Sequence, residues 1–336
     1  MKVLVRMPNW LGDAVMATPA LHNLLNHFGG AEFVLVGPPV VADLFRADPR
    51  FRAVVADPTK SQRFRTARLW QLGRRLRAQY GPFDLGWSFA NGFSSRVLLR
   101  ASSAARRVSK RHAWHDFLLT DTIAIDRGLH ETDRYNRVVN GYLGTDYPIG
   151  PTKLHAARPH RYDRPTAAIQ PGAAYGAAKR WLPERFVEAA VMLSSRFDIV
   201  ILGGASERSL TDDIESRLRS QGVHRLHNAT GCTMGDLLSL IAGLDLLLTN
   251  DSGPLHIGAA FGVPTVAVFG STSPQHTFPW GNPCARLVRH ELPCAPCAKR
   301  TCPLQHHACM RDVTAREVVT AALALIDAQA DRRRTG

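Results

Sequence analysis

Residues 245–270, DLLLTNDSGPLHIGAAFGVPTVAVFG, constrain the fold of this chain more than any other stretch. The apolar run 246–249 is long enough for a strand buried on both faces and too short for a helix. Asn250, Asp251, Ser252 and Gly253 then make a turn that opens a helix. Ser252 and Gly253 are good N-caps, and Pro254 suits the first helical position, where its missing N–H would have no partner anyway. Gly262 and Pro264 stop the helix, and residues 265–269 return as a second buried strand. Such a unit belongs to a parallel α/β sheet. It places a helix N-terminus just beyond the carboxyl end of a strand, where free N–H groups and the helix dipole favour a phosphate. Most turns of this kind carry a polar cap; this one is set apart by its density of Asn, Asp, Ser, Gly and His.

The same alternation runs through the rest of the chain. Residues 2–7 read as a strand, 8–13 as a loop and 14–28 as a helix in which Pro19 marks either a kink or the true start. Strands follow at 33–37, 53–56 and 84–89, then one or two within 109–126 and a helix at 130–143. Residues 147–165, rich in Pro, His and Arg and without periodicity, read as a linker. The pattern then restarts: strands at 167–170, 198–202 and 225–228, helices at 183–195, 207–220 and 234–242, the opening stretch, a last helix at 315–327 and a frayed tail at 332–336. A chain of 336 residues exceeds the usual limit of one core. The expectation is two α/β domains, 1–155 and 156–330, each with a mostly parallel sheet, facing a cleft that holds the site.

No run of 18 apolar residues is present and the N-terminus enters a strand directly, so the reading is a cytoplasmic protein without a membrane span. Six cysteines without a secretion signal argue against a disulfide framework. The net charge of +14 is concentrated: residues 46–111 hold sixteen Lys or Arg against Asp48, Asp57 and Asp84, which leaves +13 in that window. Such a field asks for a polyanionic partner. Leu69, Leu72 and Leu76 make one helix face there, which accounts for some of the charges as a solvated face but not for the missing acids. Phe64, Trp70 and Tyr80 fall in apolar patterns instead of forming a stacking platform, which speaks against a nucleic-acid partner.

Four places carry chemistry. Gly12-Asp13 puts a carboxylate at the start of a helix, as a first-turn acid or as a general base for a hydroxyl. The loop PGAAYGAAKRW has small residues, Gly172 first among them, that let backbone approach a ligand, with Lys179 and Arg180 placed to hold a diphosphate. In GGASER, Glu207 lies in the first turn of a helix after a strand, where an acid meets ribose hydroxyls or simply favours the helix dipole. Cys294, Cys297, Cys302 and Cys309, beside His306 and His307, offer either a structural zinc site or packed reduced thiols. The wide spacing of the second pair favours thiols. No GxGxxG or GxxxxGK[ST] is present, so neither redox nor kinase chemistry is indicated.

The segments MPNWLGDAVMATPAL, GAAYGAAKRWLPERF, LLLTNDSGPLHIGAAFGVPTVAVFGSTSP and CAPCAKRTCP resemble the ADP-heptose:lipopolysaccharide heptosyltransferases of glycosyltransferase family 9. The resemblance covers nearly the whole chain, and the Asn-Trp-Leu-Gly-Asp start is that of the type II branch. It implies a GT-B fold of two Rossmann-like domains. It also implies transfer of L-glycero-D-manno-heptose from ADP-heptose, with inversion, to the first heptose of the lipopolysaccharide inner core. On that resemblance Asp13 is the base, Lys179 holds the donor phosphates, Glu207 the ribose and Met234 lies near the adenine. Asp251 meets sugar hydroxyls, the N–H groups around Ser252 and Gly253 meet the diphosphate, and His256 lies close to the heptose. The family often has hydroxyl side chains before the lysine where this chain has Ala173, Ala174, Ala177 and Ala178, which leaves backbone N–H groups for the phosphates. No Asp-x-Asp is present, in keeping with a reaction that needs no metal and no cofactor beyond the ADP-heptose co-substrate. The acceptor would be heptosyl-Kdo-lipid A on the inner face of the cytoplasmic membrane, with Lys60, Arg63, Arg65 and Arg68 as its docking face. A different sugar nucleotide or a type I acceptor is the alternative on the same fold.

Overall fold

The computed structural model describes the backbone of residues 1–335 apart from 113, 127, 156 and 157, and the side chains of these except 61 and 331–335. Residues 156 and 157 of the expected linker and residue 336 of the expected tail lie outside the described residues. The chain divides into two compact units, Met1–His155 and Ala156–Gly336.

The first unit holds strands β1 (Lys2–Arg6), β2 (Glu32–Gly37), β3 (Phe51–Ala56), β4 (Leu85–Ser88), β5 (Arg106–Lys110) and β6 (Asp121–Ile123). They pair in the order β3-β2-β1-β4-β5-β6, and each pairing is parallel. The second holds β7 (Thr166–Gln170), β8 (Asp198–Ile201), β9 (Leu226–Asn228), β10 (Leu246–Asn250), β11 (Thr265–Val268) and β12 (Ala285–Val288). Their order is β12-β11-β10-β7-β8-β9, again parallel throughout. Counted from its own first strand, each sheet reads 3-2-1-4-5-6, the order of the dinucleotide-binding fold, with the reversal between the first and fourth strands. The expectation of two Rossmann-like parallel sheets is met.

Apolar runs make the central strands because both faces are covered by helices. Val3, Leu4 and Val5 in β1 and Leu246, Leu247 and Leu248 in β10 are buried. Helices Arg65–Tyr80 and Phe93–Ala101 pack closely because Gly73 has no side chain; a Cβ there would sit 2.5 Å from that of Ala101.

Several boundaries moved. The helix expected at 14–28 is two helices, Leu11–Met16 and Thr18–His27, and Pro19 lies in the first turn of the second, where it costs no hydrogen bond. Of the strands expected within 109–126, β6 lies inside that range, whereas β5 begins ahead of it at Arg106. The last helix continues from Ala315 to Thr335, past its expected end at 327. Strand β12 was not foreseen: ARLV, with an arginine inside it, gives no continuous apolar run.

Candidate functional site

At the reversal point of the second unit, the loops after β7 and β10 are tied together by buried polar groups. Asn250, the last residue of β10, is fully buried. Its amide donates to the carbonyls of Pro171 (2.9 Å) and Gly172 (3.2 Å), and its Oδ1 accepts from the backbone N–H of Trp181 (2.9 Å). One side chain thereby shapes both ends of the loop 171–181. Ser252 stands at the N-cap of helix Gly253–Ala260, as its residue type predicts, but its hydroxyl does not cap the first turn. It donates to Oε1 of Gln170 (2.7 Å), which also accepts from Thr249 (3.0 Å). The N–H groups of that first turn therefore carry no side-chain cap, which leaves them for an anion.

Lys179 and Asp251 form an ion pair of 2.7 Å, 14% and 3% exposed. Asp251 Oδ2 also accepts from Thr272 (2.6 Å) and Thr277 (3.3 Å), and His256 Nε2 lies 4.0 Å from Oδ1. The Asp251 carboxylate thus belongs to a side-chain network instead of capping the helix. The Lys179 ammonium also lies 5.1 Å from the ring centre of Tyr175, and the Arg300 guanidinium 5.3 Å from the same ring.

Glu207 ends a short turn, Ala205–Glu207, and its carboxylate accepts from the N–H of Gly204 (2.9 Å). It is pressed against Gly172, where a Cβ would fall 2.0 Å from Oε1. The acid and the lysine loop expected on separate sequence grounds are therefore neighbours. Met234 is the first residue of helix Met234–Ala242, half-buried beyond β9 and capped by Thr233. Gly253, Ser252, His256, Asp251 and Lys179 are brought to the reversal point, with Glu207 beside Gly172.

The Cys-rich segment braces the lysine loop. Ala178 N–H donates to Arg300 O (2.9 Å), Tyr175 hydroxyl to Ala298 O (3.0 Å), and His307 Nε2 lies 3.3 Å from Ala178 O. Cys294, Cys297, Cys302 and Cys309 are free and line one small enclosed cavity with His306 and His307. Burial, then the neighbouring cysteines, push the Cys309 thiol up. Among the described residues, no three His, Cys, Asp or Glu side chains come together as a metal site would require.

In the first unit, Arg6 ends β1 with both it and Asp57 1% exposed, paired at 3.1 Å. It also donates to Asn9 Oδ1 (2.9 Å) and so fixes the loop that carries Asp13. Burial outweighs the pairing and lowers the Arg6 pKa to about 10, which still leaves it charged at neutral pH. Asp13 lies half-buried in the first turn of helix Leu11–Met16. It is close enough to the buried Tyr135 that its charge, after burial itself, pushes that phenol up. Lys60 places its ammonium 4.5 Å over the Trp10 ring, at the edge of the same loop.

Arg65 is half-buried, near Arg6, and its Nε and Nη2 are buried without a partner. Arg63 stacks on Phe64 (5.1 Å), and Arg68 donates to Arg63 O (3.3 Å). Lys110 is half-buried beside Ser88, Asn91, Arg134 and Tyr135. One expectation is corrected: Phe64 and Trp70, placed in apolar patterns, are 71% and 44% exposed, because the inward face of their helix is Leu69, Gly73 and Leu76.

The sequence pattern does not single out Gln170, Asn250, Thr272, Thr277, Arg6 or Lys110 as site residues. A polar residue closing an apolar strand, as in Gln170, Asn250 and Arg6, is the signal that was present.

The model of glycosyltransferase family 9 (heptosyltransferase) matches residues 69–308. The lipooligosaccharide heptosyltransferase 2 of Campylobacter jejuni is 33% identical over 97% of this chain and 98% of its own length. The lipopolysaccharide heptosyltransferase 2 of Escherichia coli is 25% identical over 86% of this chain and 88% of its own. Among solved structures, the Escherichia coli ADP-heptose lipopolysaccharide heptosyltransferase II superposes with a TM-score of 0.83 at 23% identity, over 98% of this chain and 100% of that one.

Proposed function

The chain belongs to glycosyltransferase family 9, and we propose how its two reversal points divide the family's reaction. It is a glycosyltransferase, a heptosyltransferase of lipopolysaccharide core synthesis that takes a nucleotide-heptose donor and a lipopolysaccharide-type acceptor. The donor is ADP-heptose and the acceptor is the first heptose of the inner core, carried on Kdo-lipid A. No helix among the described residues is long and apolar enough to cross a membrane, and the enzyme works in the cytoplasm at the inner membrane face.

The observation that carries the reading is the Lys179–Asp251 pair beside an uncapped helix start, with Glu207 against Gly172. A diphosphate needs a cation and N–H donors together; a ribose needs a nearby acid. In the proposed reaction the acceptor hydroxyl oxygen attacks the anomeric carbon of the donor from the face opposite the leaving group. Its proton passes to the Asp13 carboxylate as the C–O bond to ADP breaks, which inverts the centre. Charge gathers on the departing diphosphate, where Lys179 and the N–H groups at Gly253 are fixed before the reaction and need no reorganisation. Asp251 and His256 hold sugar hydroxyls, and Met234 packs on the base. Arg65, with Lys60, Arg63 and Arg68, takes the acceptor's anionic groups.

Two measurements test this. ADP should raise the melting temperature more than UDP or GDP at equal concentration, since only a ligand of the native state stabilises it. A transfer assay with ADP-heptose should succeed on an acceptor bearing one heptose and fail on one bearing none; the reverse outcome assigns a type I acceptor.

A further inference from the structure

Three aromatic rings stand together on the surface of the first unit with no role in the reaction described above. Phe93 is 38% exposed, Trp114 76% and Phe117 71%. Trp114 lies between the others, its ring centre 5.8 Å from that of Phe93 and 6.3 Å from that of Phe117, nearly parallel to the latter. Exposed rings held in register are costly to leave in water and usually mark a contact surface.

The support beneath them is rigid. Phe93 opens helix Phe93–Ala101, and Trp114 and Phe117 belong to the short turn Trp114–Leu118. Both pieces are fastened by Arg96, which is wholly buried. Its guanidinium donates to Asp116 (2.8 Å), Asn91 O (2.7 Å) and Lys110 O (3.0 Å). Asp116 in turn accepts from His112 N–H (2.8 Å), and the buried His115 ring meets Phe93 and Trp114 edge-on. A buried cation therefore holds the loops that present the rings.

The charge around them is of one sign. Lys110 and Arg111 lead from β5 into the turn, and the one acid of the turn, Asp116, is engaged by Arg96, while Arg106 at the other end of β5 is matched by Asp121. Arg111 and His112, both exposed, precede Trp114 by three and two residues. Helices Arg65–Tyr80 and Phe93–Ala101 both follow parallel strands and pack on one another, so both begin at the carboxyl edge of the sheet. The exposed Phe64 and the basic residues 63, 65 and 68 thus lie at the same edge as Phe93.

We infer that Phe93, Trp114 and Phe117 form an anchor that enters the interface of an anionic lipid bilayer, with the adjoining basic residues against the headgroups. Indole and phenyl rings favour the boundary between headgroup and acyl chain, and cationic side chains beside them are drawn to anionic lipid. A nucleic acid would match the charge equally, but the rings here are packed on one another instead of spaced for intervening bases. The inference rests on the acceptor being lipid-linked, and it moves the membrane contact from arginines alone to a ring cluster.

The test is co-sedimentation of the full-length protein with vesicles of phosphatidylethanolamine and phosphatidylglycerol, against vesicles of phosphatidylcholine. Wild type should partition onto the anionic vesicles, and Trp114→Ala with Phe117→Ala should lower that partition by about ten-fold. Trp114→Tyr with Phe117→Tyr should restore most of it. The melting temperature should not change, because both side chains are exposed. Turnover of a deacylated, water-soluble acceptor should be unchanged in the alanine variant. Equal partition of wild type and alanine variant would overturn the anchor. So would an equal loss of turnover on the deacylated acceptor, which would make the rings a sugar platform, or a wild-type dimer that the alanine variant splits, which would make them a self-contact. Vesicle binding needs no donor, so an enzyme that partitions as expected but transfers no heptose would sink the functional reading and leave the anchor standing.

Discussion

The two reversal points share a strand order and differ in how their charges are balanced. Beyond β7 and β10 most charge is matched inside the protein: Lys179 meets Asp251, and Asn250 and Gln170 close the loops with hydrogen bonds. Arg180 keeps a buried Nε without a partner. Beyond β1 and β4 Arg6 is matched through Asp57, Arg96 through Asp116 and Arg134 through Glu131, and other cations are left over. Arg65 keeps two buried nitrogens without partners, and among the described residues Lys110 has no ion-pair partner. A pocket whose charges are balanced within the protein suits a ligand of fixed shape, which exchanges one set of contacts for another. Cations left unmatched suit a ligand that brings the missing charge. On the proposed reading, the same topology prepares one side for a nucleotide diphosphate and the other for a polyanion.

The comparison breaks most decisively at Asp13. Asp13→Asn should lower turnover by about 10² to 10⁴-fold, the usual contribution of a positioned base. ADP affinity, measured by calorimetry, should stay as it was, because the proposed donor residues lie in the other unit. Near-normal turnover would remove Asp13 from the chemistry. A loss of ADP affinity equal to the loss of rate would end the division of labour.

Lys179→Met comes next, because it should act on both function and fold. Turnover should fall by about 10² to 10³-fold with the loss of one preorganised donor to the leaving group. Removing the ammonium also strands the Asp251 carboxylate, 3% exposed, inside the protein. Breaking one side of a buried pair costs about 3–5 kcal/mol, to be read from denaturant unfolding. If stability were unchanged, the pair would contribute nothing when empty, and the contrast between the two sides would lose its basis.

Much of this arrangement was legible in the chain. Runs such as VLV in β1 and LLL in β10 announced two-sided burial, and the turn after β10 announced a helix start. What escaped was long-range. The rule for N-caps places Ser252 correctly but cannot foresee that Gln170, 82 residues earlier, outcompetes the first turn for its hydroxyl. Asn250 could be read as a turn residue from its neighbours. Its work is to shape a loop 69 to 79 residues away, which no local pattern encodes. Arg6 and Asp57 are matched across two loops for the same reason. Exposure of Phe64 and Trp70 was misjudged because aromatic residues near an apolar stripe look like part of it, and only the packing of Gly73 against Ala101 settles which face turns inward.

On the first side the effects should be smaller and opposite in character, since there the protein holds charge it does not need for itself. Arg65→Gln should raise the KM for the acceptor about ten-fold, the worth of one charge-assisted hydrogen bond, while kcat, ADP affinity and stability hold. Lys110→Met should go further in kind if less in size, and stabilise the protein. Burial, then the charge of Arg134, lowers the Lys110 pKa, with Glu131 opposing. The folded state therefore binds this proton less tightly than the unfolded chain. That cost is present in full below the folded pKa and fades as pH rises toward the unfolded value near about 10.4. The gain from Lys110→Met should thus be largest near neutral pH, stay under about 1 kcal/mol for a half-exposed charge, and shrink in alkaline buffer. Unfolding midpoints at two pH values decide it. A loss of stability at neutral pH would mean that Lys110 is matched within the empty protein, and the two sides would then differ less than their hydrogen bonds suggest.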